Sequence, residues 1–235
     1  MRAAPQIPFD FYAPEAPSLD NFVTGANAEL LARLRTLAAP RGLDDPAVIS
    51  LWGGSRVGKT HLLAAQAADM ASRGVPLQTL NANDAFPEDP FVTARLLCVD
   101  DADELNATQS AWLFTAFNHV AQNGGVTVVS GKSPPGTWPL RDDLRTRMAS
   151  GLIFEVLPIP QDELAPVLAE YAKRRGFSPS EEVLAYLLSR SRRDITTLCQ
   201  VLSAIDRLSL AQKRAVTVPL LREYLKQAAN ESELE

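Results

Sequence analysis

The feature that most restricts how this chain folds is the octapeptide GGSRVGKT at residues 53–60. It satisfies the pattern G-x-x-x-x-G-K-[ST], in which glycines let backbone N–H groups curl around an anion. It follows the apolar run AVISLW (47–52), which predicts a strand, and it opens residues 59–72, which predict a helix. This context predicts a phosphate-binding loop at a helix N-terminus, where the helix dipole favours negative charge.

The residue types in the loop predict separate tasks. Lys59 is expected to reach the terminal phosphates of a nucleotide, and Thr60 to hold Mg²⁺. His61 falls within the predicted helix, as does His119 in another, and a packing or surface role is favoured over catalysis for both. The predicted nucleotide-binding set in this stretch is Gly53, Ser55, Arg56, Val57, Gly58, Lys59, Thr60 and His61.

Two further strand ends carry polar residues suited to the same site. LLCVDD (96–101) is an apolar run ending in two acids, of which Asp100 is expected to orient the magnesium shell and Asp101 to polarise an attacking water. VTVVSGK (126–132) ends a strand with Ser130, whose hydroxyl either senses a γ-phosphate and aligns water or simply ends the strand.

The alternation of elements predicts an α/β domain followed by a helical one. Strands separated by helices imply a parallel sheet covered on both faces, whereas only helices follow Pro158. Within the helical part, Ser178 is expected to cap a helix whose first residue is Pro179, with Glu181 completing a capping box. The five predicted strands are 47–52, 75–80, 95–100, 126–130 and 152–157. The predicted domains are a proline-rich arm (1–20), an α/β domain (21–158) and a helical lid (159–235).

The composition of the chain limits the kinds of partner that it is expected to bind. The net charge of −5 and pI near 5.2 argue against sequence-independent binding to nucleic acid. Residues 161–235 carry equal numbers of basic and acidic side chains, so no direct sequence-specific DNA binding is expected. Cys98 and Cys199 are too far apart in sequence to suggest a disulfide framework or a ligand cluster. With no apolar run of transmembrane length and no signal-peptide pattern, a soluble cytoplasmic protein without a membrane partner is expected.

Three arginines raise the question of which anion they serve. Arg145 and Arg147 precede the last predicted strand and so should lie near its amino end, opposite the phosphate loop. Geometry leaves two readings open: a surface or structural role, or service to a nucleotide on a neighbouring subunit. Arg193 begins a helix of the lid, where it either reads the nucleotide in cis or is a solvated residue in a charged turn.

Five segments, with the serine after VTVV, occur in order at suitable spacing: LDNFVTGANAELL, LWGGSRVGKTHLL, LLCVDDADEL, DDLRTRMASGLIFEV and SRRDITTL. Together they resemble the DnaA/Hda family of AAA+ ATPases, most closely its Hda-type regulators. The resemblance implies an AAA+ core with a helical lid, binding of ADP or ATP with Mg²⁺, and Phe22 and Val23 near the adenine. It further implies that Ser130 is near the first sensor position, Arg193 is the second sensor and Arg147 is the arginine finger.

Two positions stand outside the family pattern. Arg145 has no counterpart with a role. Lys132 occupies a position, just after the first sensor, where the family often has an acid. Lys59, Thr60, Asp100 and Asp101 are all present, so hydrolysis at the chain's own site is chemically possible, although the resemblance implies a largely ADP-bound partner.

The N-terminal arm carries QIPFDF, which resembles the motif by which Hda-type proteins bind the replicative sliding clamp. The resemblance therefore implies two partners, DnaA and the beta-subunit clamp of DNA polymerase III, with a homodimer as a further possibility. The clamp-binding residues are Gln6, Ile7, Pro8, Phe9, Asp10 and Phe11.

Three functions follow as hypotheses. The first is a regulator that inactivates DnaA by promoting hydrolysis of its ATP. The second is a helicase-loader-like or transposition-accessory ATPase, against which the acidic charge and the short connection at 81–94 both count. The third is a nucleotide-gated clamp adaptor with no catalytic contribution.

Overall fold

A computed structural model describes residues 16–37, 46–192 and 194–232. These fall into two compact units, residues 17–158 and residues 159–232, each treated by itself below. The motif at 6–11 and Arg193 lie outside the described residues. In the described part of the chain no helix combines the length and apolarity needed to cross a membrane.

The first unit is built on a parallel sheet. Its strands lie in the order β2-β3-β4-β1-β5, and every neighbouring pair is parallel. The predicted five-stranded parallel sheet is therefore confirmed. The elements are α1 (Ala28–Arg35), β1 (Val48–Trp52), α2 (Lys59–Ser72), β2 (Leu77–Asn81), β3 (Leu96–Asp100), α3 (Ala107–Gln122), β4 (Val126–Gly131), α4 (Asp142–Ser150) and β5 (Leu152–Glu155).

The central strands are almost continuously apolar in sequence because both faces of the sheet are covered by helices. On one face Ile49, Leu51 and Val128 pack against α1 and α2, and on the other Val99 and Val129 pack against α3 and α4. Alternate residues of each strand thus enter two separate cores. The sheet is rigidly held from both sides, which fixes the loops at its ends.

The carboxyl ends of β1, β3 and β4 meet at one edge because β4 lies between β1 and β3. The chain leaving β1 remains bound to β4 there, since the Gly53 N–H donates to the Gly131 carbonyl at 3.2 Å. Gly131 in turn lies against the buried indole of Trp138, whose Nε1–H donates to the Ser133 carbonyl at 2.6 Å.

A buried amide links the start of α1 to the end of the sheet. Asn27 precedes α1, yet its side chain makes no capping bond. Instead its Nδ2 donates to the Leu157 carbonyl at 2.9 Å, and its Oδ1 accepts the Leu157 N–H at 2.8 Å. Asn27 is 4% exposed whereas Leu157 is 38% exposed, so a buried side chain holds a partly exposed segment of backbone.

Arg145 and Arg147 precede the last strand within a helix. Both belong to α4, which runs alongside the sheet before β5 begins. The Met148 carbonyl accepts the Ser50 hydroxyl at 2.7 Å, and Ser50 is the middle residue of β1. The end of α4 thus packs against β1, and only Gly151 separates this helix from β5.

The second unit contains only helices among its described residues: α5 (Leu164–Arg174), α6 (Glu181–Arg190), α7 (Ile195–Gln212) and α8 (Val218–Ser232). Leu198, Leu202 and Ile205 on α7 are fully buried in its core. The predicted cap was misassigned: Ser180, and not Ser178, accepts the Val183 N–H at the start of α6. Ser180 has the extended backbone of a cap, and the helix begins immediately after it.

Candidate functional site

The loop at 53–60 adopts a conformation that depends on its glycines. Gly58 has a φ of 103°, and a Cβ there would lie 2.9 Å from Phe22 Cε2. A Cβ on Gly53 would lie 2.6 Å from the Val156 carbonyl oxygen. Among the described residues, the N–H groups of Lys59 and Thr60 have no backbone acceptor, as is usual in the first turn of a helix. The loop thus presents backbone N–H groups without backbone acceptors at the start of α2.

The side chains between the glycines differ in exposure. Ser55 and Arg56 are exposed, and Arg56 has a φ of 63°, which turns the chain sharply between the two glycines. Val57 is buried in the core below the loop and anchors it. The loop therefore has an apolar anchor and a polar outer surface.

Lys59 is buried beneath the loop, with its ammonium directed at backbone carbonyls. Its Nζ donates to the Gly53 oxygen at 2.7 Å and to the Gly54 oxygen at 2.8 Å. Burial lowers the pKa of Lys59, while the negative charges of Asp101, Asp100 and Asp103 act in the opposite direction. A partly desolvated ammonium beside open N–H groups fits the terminal phosphates of a nucleotide.

A chain of hydrogen bonds joins the loop to the acidic strand end. Thr60 Oγ1 donates to Asp100 Oδ2 at 2.6 Å, and the Ser130 hydroxyl donates to Asp100 Oδ1. The Ser130 oxygen also accepts the Asp101 N–H at 3.2 Å. Ser130 is fully buried, so its hydroxyl binds Asp100 and Asp101 from within the protein interior.

Asp101 is held in an unusual backbone conformation. Its φ of 53° lies in the left-handed region, where aspartate is tolerated better than most residues. Its Oδ2 accepts the side-chain amide of Asn81 at 3.2 Å. Sequence reasoning missed Asn81, although its position directly after the predicted strand 75–80 was a signal, because adjacency of β2 and β3 was not known.

The aromatic residue predicted near the adenine lies against the loop. Phe22 is buried, and its ring centroid is 5.8 Å from that of His61. The His61 Nε2 lies 3.1 Å from the Ser18 carbonyl. Val23 is half-buried beside Phe22 in the chain. These residues join the segment before α1 to the start of α2.

The oxygen ligands for magnesium are few but suitable. Thr60 and Asp100 are already within one hydrogen bond, so both can face one cation. Within the described ranges there is no group of three or more His, Cys, Asp or Glu side chains that could hold a metal by itself. Mg²⁺ bound with nucleotide needs only one or two protein oxygens, because phosphates and water supply the rest. The residues present therefore fit a nucleotide-bound Mg²⁺.

The arginines of α4 differ in their partners. Arg141 pairs with Asp143 at 2.7 Å, and Arg145 pairs with Asp142 at 2.5 Å. Arg147 has no carboxylate within ion-pair distance in the part of the chain that is described, and its guanidinium carbon instead lies 5.0 Å from the Phe114 ring centroid. The Phe117 centroid is 5.5 Å away.

The structure brings together the predicted residues from 53–61 with Phe22, Asp100, Asp101 and Ser130. Arg147 stands apart, since its guanidinium lies against the rings of Phe114 and Phe117 on α3. Arg193 and the arm at 6–11 are outside the described residues. Phe114 and Phe117 are additional residues that sequence reasoning missed, because nothing in the sequence indicates that α3 and α4 share a face.

A family model covers part of the helical unit. Residues 161–225 match the model described as Hda, lid domain.

Solved structures extend the likeness to the remainder of the chain. Domain III of DnaA from Thermotoga maritima is 17% identical with a TM-score of 0.67, and the match covers 92% of this chain and 98% of that one. AMPPCP-bound DnaA from Aquifex aeolicus is 20% identical with a TM-score of 0.64, covering 83% and 64%. RuvB from Thermotoga maritima is 17% identical with a TM-score of 0.61, covering 89% and 71%. At these identities the structural likeness establishes the AAA+ fold.

Proposed function

We propose that this chain, in which residues 161–225 match an Hda lid domain and whose fold resembles that of DnaA domain III, inactivates the initiator DnaA by promoting hydrolysis of DnaA-bound ATP. In this proposal the chain binds its own nucleotide at residues 53–60 and supplies Arg147 to the nucleotide of DnaA. The observation that carries the proposal is the contrast among the arginines of α4, of which Arg147 alone is held by aromatic rings and not by a carboxylate.

The chain's own site is proposed to hold ADP or ATP with Mg²⁺. The N–H groups of the loop and the Lys59 ammonium would bind the phosphates, and Thr60 with Asp100 would hold the cation. The magnesium would neutralise phosphate charge. Phe22 and Val23 would contact the base, which agrees with the packing of Phe22 over Gly58. The AMPPCP in the similar DnaA structure supports an adenine nucleotide.

Hydrolysis at this site depends on the freedom of Asp101. A general base must reach the proton of an attacking water within hydrogen-bond distance. The Asp101 carboxylate instead accepts the Asn81 amide, and its backbone is fixed through Ser130. This arrangement supports slow turnover of ATP at the chain's own site.

An arginine finger requires a guanidinium whose N–H groups remain available for phosphate. In an ion pair, as for Arg145, the carboxylate accepts hydrogen bonds from the guanidinium N–H groups. An aromatic face orients the guanidinium but leaves its in-plane N–H groups without that acceptor. Arg147 is half-buried on Phe114 and Phe117, so the stacking reduces the rotamers that it must lose on docking. These features support Arg147 as the trans-acting residue and Arg145 as a structural one.

Recruitment is proposed to come from the sequence at 6–11, which would occupy the groove of the replicative sliding clamp. The residues are Gln6, Ile7, Pro8, Phe9, Asp10 and Phe11, and their support is the sequence motif alone. Arg193 would read the chain's own nucleotide from the lid, again on sequence grounds. Head-to-tail docking through Arg147 is compatible with a homodimer as well as with a complex with DnaA.

The helicase-loader alternative gains no support. The connection between β2 and β3 contains turns and no helix, and all of its residues are described. The adaptor alternative differs from the proposal only in catalysis, so one assay separates the two.

That assay measures hydrolysis of ATP pre-bound to DnaA in the presence of DNA-loaded clamp. The wild-type chain is expected to accelerate hydrolysis, and Arg147→Ala to lose roughly 10³-fold of that acceleration, the low end of the contribution of arginine fingers. Arg145→Ala is the matched control on the same helix and should retain it. Deletion of residues 1–12 should abolish clamp pull-down and stimulation together.

The outcomes separate the hypotheses. Clamp binding without any stimulation by the wild-type chain would identify an adaptor. Normal stimulation by Arg147→Ala would remove the finger assignment. Binding to single-stranded DNA at physiological salt would favour the helicase-loader class.

A further inference from the structure

Lys132 is a second lysine at the edge where the loop and the acids meet. It follows Gly131, the last residue of β4, whose carbonyl accepts the Gly53 N–H. Its own N–H donates to Asp103 Oδ2 at 2.9 Å, and its ammonium forms an ion pair with Glu104. The backbone of Lys132 is thereby fixed beside the first residue of the phosphate loop.

The charges at this edge are interdependent. The positive charge of Lys132 acts with burial to lower the pKa of Lys59, whereas Asp101, Asp100 and Asp103 act to raise it. The hydrogen bond and charge of Glu104 raise the pKa of Lys132 itself, so the side chain is a cation at neutral pH. The two lysines and the acidic turn 100–104 therefore form one electrostatic neighbourhood.

The ion pair between Lys132 and Glu104 is weak enough for another anion to replace Glu104. Both members of the Lys132–Glu104 pair are exposed, with side-chain exposures of 55% and 42%, and such pairs contribute little because water screens them. A phosphate carries more negative charge than a carboxylate and competes for the ammonium. A lysine stem that is not buried can move between the two without disturbing a core.

We infer that Lys132 is a specificity-determining cation that favours a nucleoside triphosphate over a diphosphate, with Glu104 holding it in the absence of a terminal phosphate. This inference rests on the nucleotide site of the proposed function and adds to it a residue that distinguishes a triphosphate from a diphosphate. The acids at 103 and 104 repel an additional phosphate, and Lys132 offsets that repulsion. Its loss therefore weakens binding of the triphosphate more than that of the diphosphate.

The test is the ratio of ATP to ADP dissociation constants for the chain alone, measured by competition against a fluorescent ADP analogue with Mg²⁺. Lys132→Ala should raise the Kd for ATP about five- to tenfold and change the Kd for ADP less than about twofold, as expected for one partly screened charge. Glu104→Gln should act in the opposite direction, because it removes an acid and releases the ammonium. The variant with both changes should lose less ATP affinity than Lys132→Ala.

Lys226→Ala is the matched control, since Lys226 is an exposed lysine of the helical unit. It should leave the ratio unchanged. Equal changes in ATP and ADP affinity for Lys132→Ala, no change in either, or weaker ATP binding by Glu104→Gln would each overturn the inference. The assay contains neither DnaA nor clamp, so a chain that fails to stimulate DnaA can still have the altered ratio, and the two proposals fail separately.

Discussion

The guanidinium of Arg147 rests on the ring of Phe114, 5.0 Å from its centre, so helix α3 positions a cation carried by α4. Arg141 lies 5.7 Å from the same ring. Phe114 and Arg147 are both half-buried. The pair is the structural basis on which the proposed trans-acting role depends.

Phe114→Leu should weaken stimulation of DnaA-bound ATP hydrolysis by about three- to tenfold, because leucine fills similar space but offers no π-face. ADP affinity of the chain itself should be unchanged, since the loop at 53–60 is not in contact with this ring. The measurement is the single-turnover hydrolysis rate of ATP on DnaA. Phe114→Tyr should restore the rate, and Phe91→Leu, at an exposed ring elsewhere, should have no effect. A purely structural Phe114 would lower thermal stability without this rescue pattern.

Gly58→Ala should reduce ADP affinity at least about tenfold and lower the free energy of unfolding by roughly 1–3 kcal/mol, the range for strained backbone positions. The new methyl group would approach Phe22 within 2.9 Å at a φ of 103°. Urea unfolding and ADP titration measure the two effects. Gly74→Ala is the control: its φ is 72° but a Cβ there meets nothing within 4 Å, so only the backbone cost should appear. Equal ADP binding by both variants would contradict the role of the Phe22 contact.

Much of the fold around these residues was predictable because the chain marks it locally. Helix α2 begins directly after Gly58, which has a left-handed backbone conformation. Helix α3 begins at a capping box formed by Asn106 and Gln109. Helix α2 has the predicted bounds, 59–72. The cap of α6 was misassigned because two serines flank Pro179, and only the backbone angles distinguish them.

The site was predictable only in part. Sequence order does not give strand order, so the contacts of Asn81 with Asp101 and of Lys132 with Glu104 depend on β3 lying between β2 and β4. Motif spacing identified Lys59 and Thr60 at the start of α2 and Asp100 at the end of β3. Arg145 pairs with Asp142 within α4, whereas Arg147 stacks on Phe114 of α3, and that second contact is not encoded by spacing along the chain.

Asn27→Ala should lower the free energy of unfolding of the sheet-containing unit by about 1–3 kcal/mol, because it removes the buried amide that bonds to both the N–H and the carbonyl of Leu157. Urea denaturation followed by circular dichroism measures the change. Asn27→Asp retains the acceptor but loses the donor and should also destabilise. Asn83→Ala removes an exposed amide and serves as the control. Equal stability of the Asn27→Ala variant and the wild type would contradict the buried bridge.

Cys98 should make stability fall at alkaline pH. Burial, with a contribution from the Asp100 charge, raises the pKa of its thiol to about 12. Because the folded pKa lies above the unfolded value of about 8.5, its stabilising contribution is complete below pH 8.5 and is lost as pH rises toward 12, by up to about 1.4 kcal/mol per pH unit. Denaturation at pH 7.5 to 10 should give a shallower pH dependence for Cys98→Val than for the wild type. Parallel curves would contradict the assignment.

Trp138 packs against Gly131, at the point where the chain passes from Ser130 toward the helix that carries Arg147. Its indole is almost completely enclosed and has a hydrogen bond to the Ser133 carbonyl. A rearrangement of that segment on nucleotide exchange would alter the polarity around this chromophore. The protein therefore carries an intrinsic optical reporter beside its nucleotide loop, and the emission of this ring can follow exchange in real time without an attached dye.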